Sequence, residues 1–112
     1  MTIQVGDTMP EGTLKSMTSE GPIEISTTDL FSGKRVVLFA VPGAFTPGCS
    51  RVHLPGYVSQ ADAIKAKGFD TIACLSVNDA WVMAAWGESQ GAGDKVLMLA
   101  DGSATYVKTL GL

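Results

Sequence analysis

Uncharged runs of hydrophobic residues alternate along the chain with stretches of mixed polar and apolar residues. The runs at residues 36–41 and 72–77 are typical of strands that are covered on both faces of a sheet. A shorter run at residues 96–99 predicts a third strand. Because helices are predicted between and after these runs, the order of elements predicts an α/β fold with parallel strands. The predicted helices run from residue 46 to 67, from a cap at Asn78 or Asp79 to residue 90, and from residue 103 to 110.

The first part of the chain predicts a β-hairpin. Residues 13–17 and 23–26 lie on either side of the turn-forming sequence Ser-Glu-Gly-Pro at residues 19–22. Ser26 or Thr27 is suited to cap a short helix after the hairpin, because a hydroxyl oxygen can accept from the free backbone N–H groups of a first helical turn.

Two features of the pattern are unusual. Pro55 and Gly56 lie inside the first long predicted helix, so we expect a kink or a division into two pieces there. The strand at residues 36–41 needs neighbouring strands on both edges, and the sequence offers few candidates. We therefore expect the chain to be a fragment of a longer protein, with C-terminal strands missing.

The composition fits one domain. The chain has 112 residues, of which 46% are hydrophobic and 17% charged, so we predict a single domain over residues 1–112 and exclude a disordered chain. The net charge is −3, so no positive field is available to attract nucleic acid. The apolar runs are shorter than the roughly 18 residues that span a bilayer, which argues against a membrane protein.

The cysteine content argues against metal and disulfide sites. Cys49 and Cys74 form no Cys-x-x-Cys pair, and with a single histidine they cannot complete a four-ligand zinc site. A secreted disulfide scaffold would carry more cysteines, so we predict a reducing, cytoplasmic compartment. Cys74 is interpreted as a core residue, because it lies too deep in its predicted strand to reach Cys49 beyond the end of the neighbouring strand.

The segment that follows the first central strand carries candidate chemistry. Thr46 is suited to cap a helix and Pro47 to begin it, which places Cys49 over unpaired backbone N–H groups. These N–H groups and the helix dipole favour the thiolate over the thiol. A fall of the pKa from about 8.5 to about 6 would raise the thiolate share at pH 7 from about 3% to roughly 90%. Thr46 can place its hydroxyl beside the sulfur, and Pro42 can shield the pocket floor from water.

Several of these residues have structural alternatives. Cys49 can be a small apolar residue packed at the start of a helix. His53 lies four residues after Cys49, where an imidazolium would favour the thiolate, but we prefer a role in fixing the Pro55-Gly56 bend. Residues 81–86 make their helix apolar on all sides, so this helix is either a core element, which is the default, or is covered by a partner.

The spacing Pro42-x-x-x-Thr46-x-x-Cys49 resembles the active-site signature of the peroxiredoxins, which are thiol peroxidases. The resemblance covers nearly the whole chain and implies a thioredoxin-like α/β fold, with a central, mostly parallel sheet flanked by helices. Longer sequences similar to the type II, or peroxiredoxin five, subfamily lie at residues 42–49, 53–56 and 74–79.

The resemblance implies that the Cys49 thiolate attacks the terminal oxygen of a peroxide and becomes a sulfenic acid. Thr46 would hydrogen-bond the peroxide, Pro42 would shield the sulfur, and backbone N–H groups at the helix start would polarise the peroxide. The substrate-binding residues are predicted to be Gly48, Phe45 and His53.

The implied partners are hydrogen peroxide and alkyl hydroperoxides, a thioredoxin or glutaredoxin/glutathione reductant, and a second copy that forms a homodimer near the active-site loop. No cofactor is implied. Two parts of the family pattern are missing: a late resolving cysteine, and an arginine that comes from a segment downstream of the last predicted helix. Arg51 and Arg35 are poorly placed to replace that arginine.

Three other functions are open to this sequence. A peroxide sensor would form the same sulfenic acid at Cys49 and pass the oxidation to a partner protein. A dithiol oxidoreductase would need a Cys-x-x-Cys pair, and its absence from the sequence nearly excludes this function. An inactive binding or assembly module would keep the apolar surface at residues 81–86 without fast chemistry at Cys49.

Overall fold

The computed structural model describes residues 3–41, 43–45, 54–93 and 95–110. Strands and helices alternate through most of this part of the chain. In chain order, the elements are β1 (Thr13–Thr18), β2 (Gly21–Ser26), α1 (Thr27–Phe31), β3 (Val36–Ala40), α2 (Leu54–Ala66), β4 (Thr71–Ser76), α3 (Ala80–Ser89), β5 (Leu97–Ala100) and α4 (Thr105–Thr109).

The strands of the described residues form one sheet in the order β2-β1-β5-β4-β3. The strands β3, β4 and β5 are parallel, whereas β1 is antiparallel to both β2 and β5. Phe39 lies beside Cys74, and Cys74 lies beside Met98, so the carboxyl ends of the three parallel strands lie side by side. The predicted α/β fold with parallel central strands is confirmed.

The two long hydrophobic runs are covered to different extents. In β4 every residue after Thr71 is buried, as predicted for a strand covered on both faces. In β3 only Phe39 is buried and Ala40 is exposed, so the same prediction is wrong for β3. The physical reason is position, because β3 pairs only with β4 among the described residues and therefore lies at an edge.

The predicted hairpin is formed by β1 and β2, with Thr18 opposite Gly21. The loop is shorter than predicted, because Gly21 and Pro22 belong to β2. Gly21 has a φ of +110°, a conformation that glycine adopts without steric cost. The helix α1 follows directly, and its cap is Ser26, whose Oγ accepts from the Asp29 N–H at 3.1 Å.

The helix α2 contains the predicted Pro-Gly break in its first turn. Pro55 and Gly56 directly follow Leu54 and the helix continues without interruption to Ala66, so no kink divides the described part. A proline is tolerated in a first turn because its missing N–H would have no helical partner there. The predicted start of this helix, in residues 46–53, lies outside the described residues. As predicted, Gly68 follows its end, with a φ of +97°.

The hydrophobic core consists of two layers, one on each face of the sheet. Successive residues of β4 alternate between them, because side chains along a strand point to opposite faces. Cys74 packs in the layer beneath α2 and α3, and Leu75 packs in the layer beneath α1 and α4. Leu54 and Trp86 complete the first layer and are fully buried, and Tyr106 belongs to the second layer.

Carboxylates of Asp79 and Asp101 accept hydrogen bonds from the first turns of the last two helices. Of the two candidates for the α3 cap, Asp79 takes the role: its Oδ1 accepts from the Val82 N–H at 2.8 Å. The helix α4 is shorter than predicted, because Ala104 precedes it in a left-handed conformation with a φ of +57°. The Asp101 Oδ2 accepts from the Val107 N–H at 2.8 Å. No helix in the described part of the chain is long and apolar enough to cross a membrane.

Candidate active site

Five of the six predicted site residues lie outside the described residues: Pro42, Thr46, Gly48, Cys49 and His53. Their predicted roles therefore stay predictions. The structure describes the sixth, Phe45. It also describes the residues on either side of the segment 42–53, which are the end of β3 and the first turn of α2, and these form the frame of the candidate site. That frame lies at the carboxyl ends of the parallel strands, which is where α/β folds place their ligand sites.

The segment leaves the sheet from a fixed point at the end of β3. The Val41 N–H donates to the Leu75 carbonyl oxygen at 3.0 Å, which extends the contact between β3 and β4 by one residue. Val41 is also buried in the core. The position from which residues 42–53 start is therefore set by both a backbone hydrogen bond and apolar packing.

The segment returns to the sheet at the first turn of α2. Leu54 is completely buried there, and the Tyr57 ring stacks on the Phe39 ring, with centroids 3.9 Å apart and planes 5° from parallel. Phe39 is the next-to-last residue of β3, so this contact connects the start of α2 to the end of β3. Both ends of the segment that contains Cys49 are thus held against the same part of the core.

Sequence reasoning missed a role for Asn78 at this site. Its Oδ1 accepts from the Ala44 backbone N–H at 2.8 Å and from the Ser76 hydroxyl at 2.7 Å. Asn78 therefore connects the ends of two strands across the edge of the sheet. The sequence signal that points to this role is the pair of candidate caps before α3. The helix uses only Asp79, which leaves the Asn78 side chain available for another contact.

Phe45 lies at the rim of the frame. It has a φ of +61°, which is uncommon for a residue with a side chain, and 56% of its surface is exposed. Two more large apolar residues, Val77 and Trp81, are exposed in the segment around Asn78. The prediction that Phe45 is exposed is confirmed. On α3, Trp81 is exposed to solvent, whereas Trp86 is a core residue.

Arg35 lies at the start of β3, the opposite end of the strand from the site. Its guanidinium lies 4.8 Å from the centroid of the Phe69 ring, and its backbone N–H donates to the Asp70 Oδ2 at 2.8 Å. At about 3.3 Å per residue, a strand of this length separates Arg35 from the site by more than 10 Å. The position of Arg35 at the far end of β3 supports the prediction that it is poorly placed for the active site, whereas Arg51 lies outside the described residues.

Cys74 is completely buried in β4. Its predicted role as a core residue is confirmed. The prediction that it forms no disulfide with Cys49 stays a prediction, because Cys49 lies outside the described residues. Within the described ranges no three His, Cys, Asp or Glu residues are grouped so that they could hold a metal ion.

Comparison with known proteins assigns the family. Residues 4–112 match the model of the Redoxin family. Peroxiredoxin-2E of Arabidopsis thaliana, described as chloroplastic, is 47% identical over 98% of this chain and 48% of its own length. Reduced Prx3 of Vibrio vulnificus, solved in complex with hydrogen peroxide, is 58% identical, with a TM-score of 0.96 over 99% of this chain and 70% of that chain. Peroxiredoxin 5 of Alvinella pompejana is 39% identical, with a TM-score of 0.86 over 97% of this chain and 69% of that chain.

The chain belongs to the peroxiredoxin family. The resemblance found in the sequence is therefore confirmed, and so is the thioredoxin-like fold that it implies. The chain spans about half the length of the first plant peroxiredoxins that it matches.

Proposed function

We propose that this chain is a thiol-dependent peroxidase that reduces hydrogen peroxide and alkyl hydroperoxides through Cys49. Its family membership supports this activity, and the Pro42, Thr46 and Cys49 signature carries the proposal. A relative that is 58% identical has been solved in complex with hydrogen peroxide, which supports the choice of substrate. The described frame supports the site, because it holds the chain on both sides of Cys49.

The reaction takes place in two steps. The Cys49 thiolate attacks the terminal oxygen of the peroxide, so that the O–O bond breaks, an S–O bond forms and the other oxygen leaves as water or an alcohol after taking a proton. The sulfur is oxidised to a sulfenic acid and the peroxide is reduced. Thr46 hydrogen-bonds the peroxide, Gly48 contributes a backbone N–H that polarises it, and Pro42 keeps water from the sulfur.

The second step regenerates the thiol. A thiol of the reductant attacks the sulfenic sulfur, which releases water and leaves a mixed disulfide, and a second thiol then reduces this disulfide. Thioredoxin and a glutaredoxin/glutathione pair are the proposed reductants. The cytoplasmic compartment is proposed from the cysteine usage alone, and the Arabidopsis relative is described as chloroplastic.

Steady-state consumption of hydrogen peroxide tests the proposed activity. The native protein is compared with Cys49→Ser and with Cys74→Ala, using thioredoxin with its reductase or glutathione with glutaredoxin as the reductant. We expect consumption by the native protein and by Cys74→Ala, and none above background by Cys49→Ser. Consumption by the native protein that is no faster than that of Cys49→Ser would overturn the proposal.

A second candidate function is assembly, and one observation favours it. Phe45, Val77 and Trp81 are exposed apolar side chains on the segments that meet at Asn78. Exposed apolar residues that lie in one region mark interaction sites more often than residues scattered singly. We propose that they contribute to a homodimer next to the active site, an arrangement that is compatible with peroxidase activity.

A further inference from the structure

A single oxygen atom of Asn78 binds the stretch of chain that follows β3. Its Oδ1 accepts from the Ala44 N–H at 2.8 Å and from the Ser76 hydroxyl at 2.7 Å. The carbonyl oxygen of a side-chain amide has two lone pairs, so these donors saturate it and fix which end of the amide faces the loop. The bond to Ala44 joins residues that are 34 positions apart in the sequence.

This contact is separate from the start of α3. Asp79 caps that helix through its own side chain, and its carbonyl oxygen accepts from the Met83 N–H at 3.0 Å. The carboxamide of Asn78 is thus not required for capping, and its two hydrogen bonds run to the loop and to β4. Asn78 is the only asparagine in the chain, and it lies where two strand ends and a loop meet.

The base on which Asn78 rests is rigid. Ser76, the last residue of β4, is 1% exposed, and its carbonyl oxygen accepts from the Asp101 N–H at 2.9 Å. Buried polar groups that have all their partners fix one arrangement of the surrounding chain. The carboxamide is therefore anchored to the carboxyl ends of both β4 and β5.

The loop that Asn78 holds is in a backbone conformation that needs support. Phe45, which directly follows Ala44, has a φ of +61°, and this region is disfavoured for a residue that has a Cβ atom. Thr46 comes next in the sequence, and Cys49 is five positions after Ala44. The chain therefore passes Ala44 before it reaches Thr46, Gly48 and Cys49 of the predicted peroxide pocket.

We propose that Asn78 is a positioning residue for the reaction proposed above: its Oδ1 fixes Ala44 and thereby the path of the chain into the Thr46–Cys49 stretch. This inference rests on the proposed function. The predicted thiolate depends on backbone N–H groups at the start of the predicted helix, so a loop that leaves β3 in a variable direction would stabilise it less.

The pH profile of Cys49 alkylation by iodoacetamide tests this role. The rate is followed by peptide mass in the native protein, in Asn78→Ala and in Ser26→Ala. Ser26→Ala is the matched control, because it also removes one side-chain oxygen that accepts from a backbone N–H, but next to α1. We expect the profile of Asn78→Ala to move to higher pH. Its rate at pH 7 should fall about threefold to tenfold, because a smaller share of Cys49 is then present as the thiolate.

Hydrogen exchange at the Ala44 amide gives a second, independent readout. Asn78→Asp retains an acceptor oxygen at this position, so we expect protection of the Ala44 N–H in the native protein and in Asn78→Asp, and fast exchange in Asn78→Ala. If Asn78→Ala does not fold, Asn78→Gln replaces it, because the longer side chain carries its oxygen away from Ala44.

The two readouts separate the two proposals. An Asn78→Ala protein with the native alkylation profile and native protection of Ala44 would overturn the role of Asn78. A native protein whose Cys49 reacts like an ordinary thiol would instead overturn the proposed peroxidase. In that case the exchange of Ala44 would still decide whether Asn78 holds the loop.

Discussion

The rings of Phe39 and Tyr57 lie face to face, with centroids 3.9 Å apart. Phe39 is near the end of β3, and Tyr57 is in the first turns of α2. The contact therefore joins the element before the segment that contains Cys49 to the element after it. Together with the bond from Ala44 to Asn78, it fixes the frame of the candidate site from two directions. Stability and reactivity should therefore depend on the same few contacts.

Replacement of Tyr57 by leucine tests the first contact. Tyr57→Leu retains an apolar side chain and removes the stacked ring, which contributes about 1 kcal/mol beyond simple burial. We expect the free energy of unfolding, measured by urea denaturation, to fall by about that amount. Tyr57→Phe, which retains the ring, is the control and should lie closer to the native value. Equal free energies for Tyr57→Leu and Tyr57→Phe would show that the stacking contributes nothing.

The stability should depend on pH through Tyr106. Its hydroxyl donates to the Pro10 carbonyl oxygen at 2.9 Å, and burial raises the pKa of Tyr106 above 10.0, although a hydrogen bond with Thr27 opposes the rise. Above pH 10 the unfolded chain therefore loses this proton before the folded protein does. We expect the contribution of Tyr106 to be fully present below pH 10 and to be lost as the pH rises through the folded pKa.

The measurement is the free energy of unfolding of the native protein and of Tyr106→Phe from about pH 8 to about pH 11. The difference between the two isolates Tyr106 from the other groups that titrate in this range. It should be constant at the lower pH values and should change above pH 10, with the native protein losing more stability. A difference that stays constant through the whole range would contradict the account.

Gly12 lies directly against the same ring. A Cβ atom at Gly12 would lie 2.6 Å from the Tyr106 Cδ1, whereas a Cβ atom at Gly56 would meet nothing within 4 Å. Gly12→Ala should therefore cost about 1–3 kcal/mol of stability because the packed ring must shift. Gly56→Ala, in a helix, should be neutral or stabilise by up to about 1 kcal/mol. Thermal unfolding of both variants checks the contrast, and equal midpoints would contradict it.

Trp81 should control self-association. The side chain is 65% exposed on α3, whereas Ile23, on the outermost strand β2, is 45% exposed far from the candidate site. We expect Trp81→Glu to convert a dimer to a monomer in sedimentation velocity and Ile23→Glu to leave it unchanged. A native protein that is monomeric at all concentrations, or a Trp81→Glu protein that remains dimeric, would contradict the proposed interface.

Local patterns predicted much of the fold. The run at residues 72–77 predicted a buried strand, and β4 is buried because it lies inside the sheet with a packed layer on each face. The cap of α3 was predicted down to two residues, since capping depends on the side chain next to the helix. The burial of β3 was not predicted correctly, because a hydrophobic run does not show that its strand lies at an edge of the sheet, where the layers on the two faces cover it less.

Contacts between distant parts of the chain could not be predicted. Tyr106 donates to a carbonyl oxygen 96 positions away, and Ala44 donates to a side chain 34 positions away. Such bonds depend on how the layers pack, and hydrophobic periodicity carries no information about them. Cys49 as the nucleophile stays a prediction, made from the Thr46, Pro47 and Cys49 spacing together with the family resemblance, because a cap and a nearby cysteine act within one helical turn.

The most direct test of the central claim is the rate at which Cys49 becomes a sulfenic acid in micromolar hydrogen peroxide. The product is trapped with a dione reagent and located by mass, with Cys49→Ser as the control. We predict oxidation of Cys49 within seconds and no trapped product in Cys49→Ser. Oxidation of the native protein no faster than that of an ordinary free thiol would contradict the claim that these residues form a working peroxide pocket.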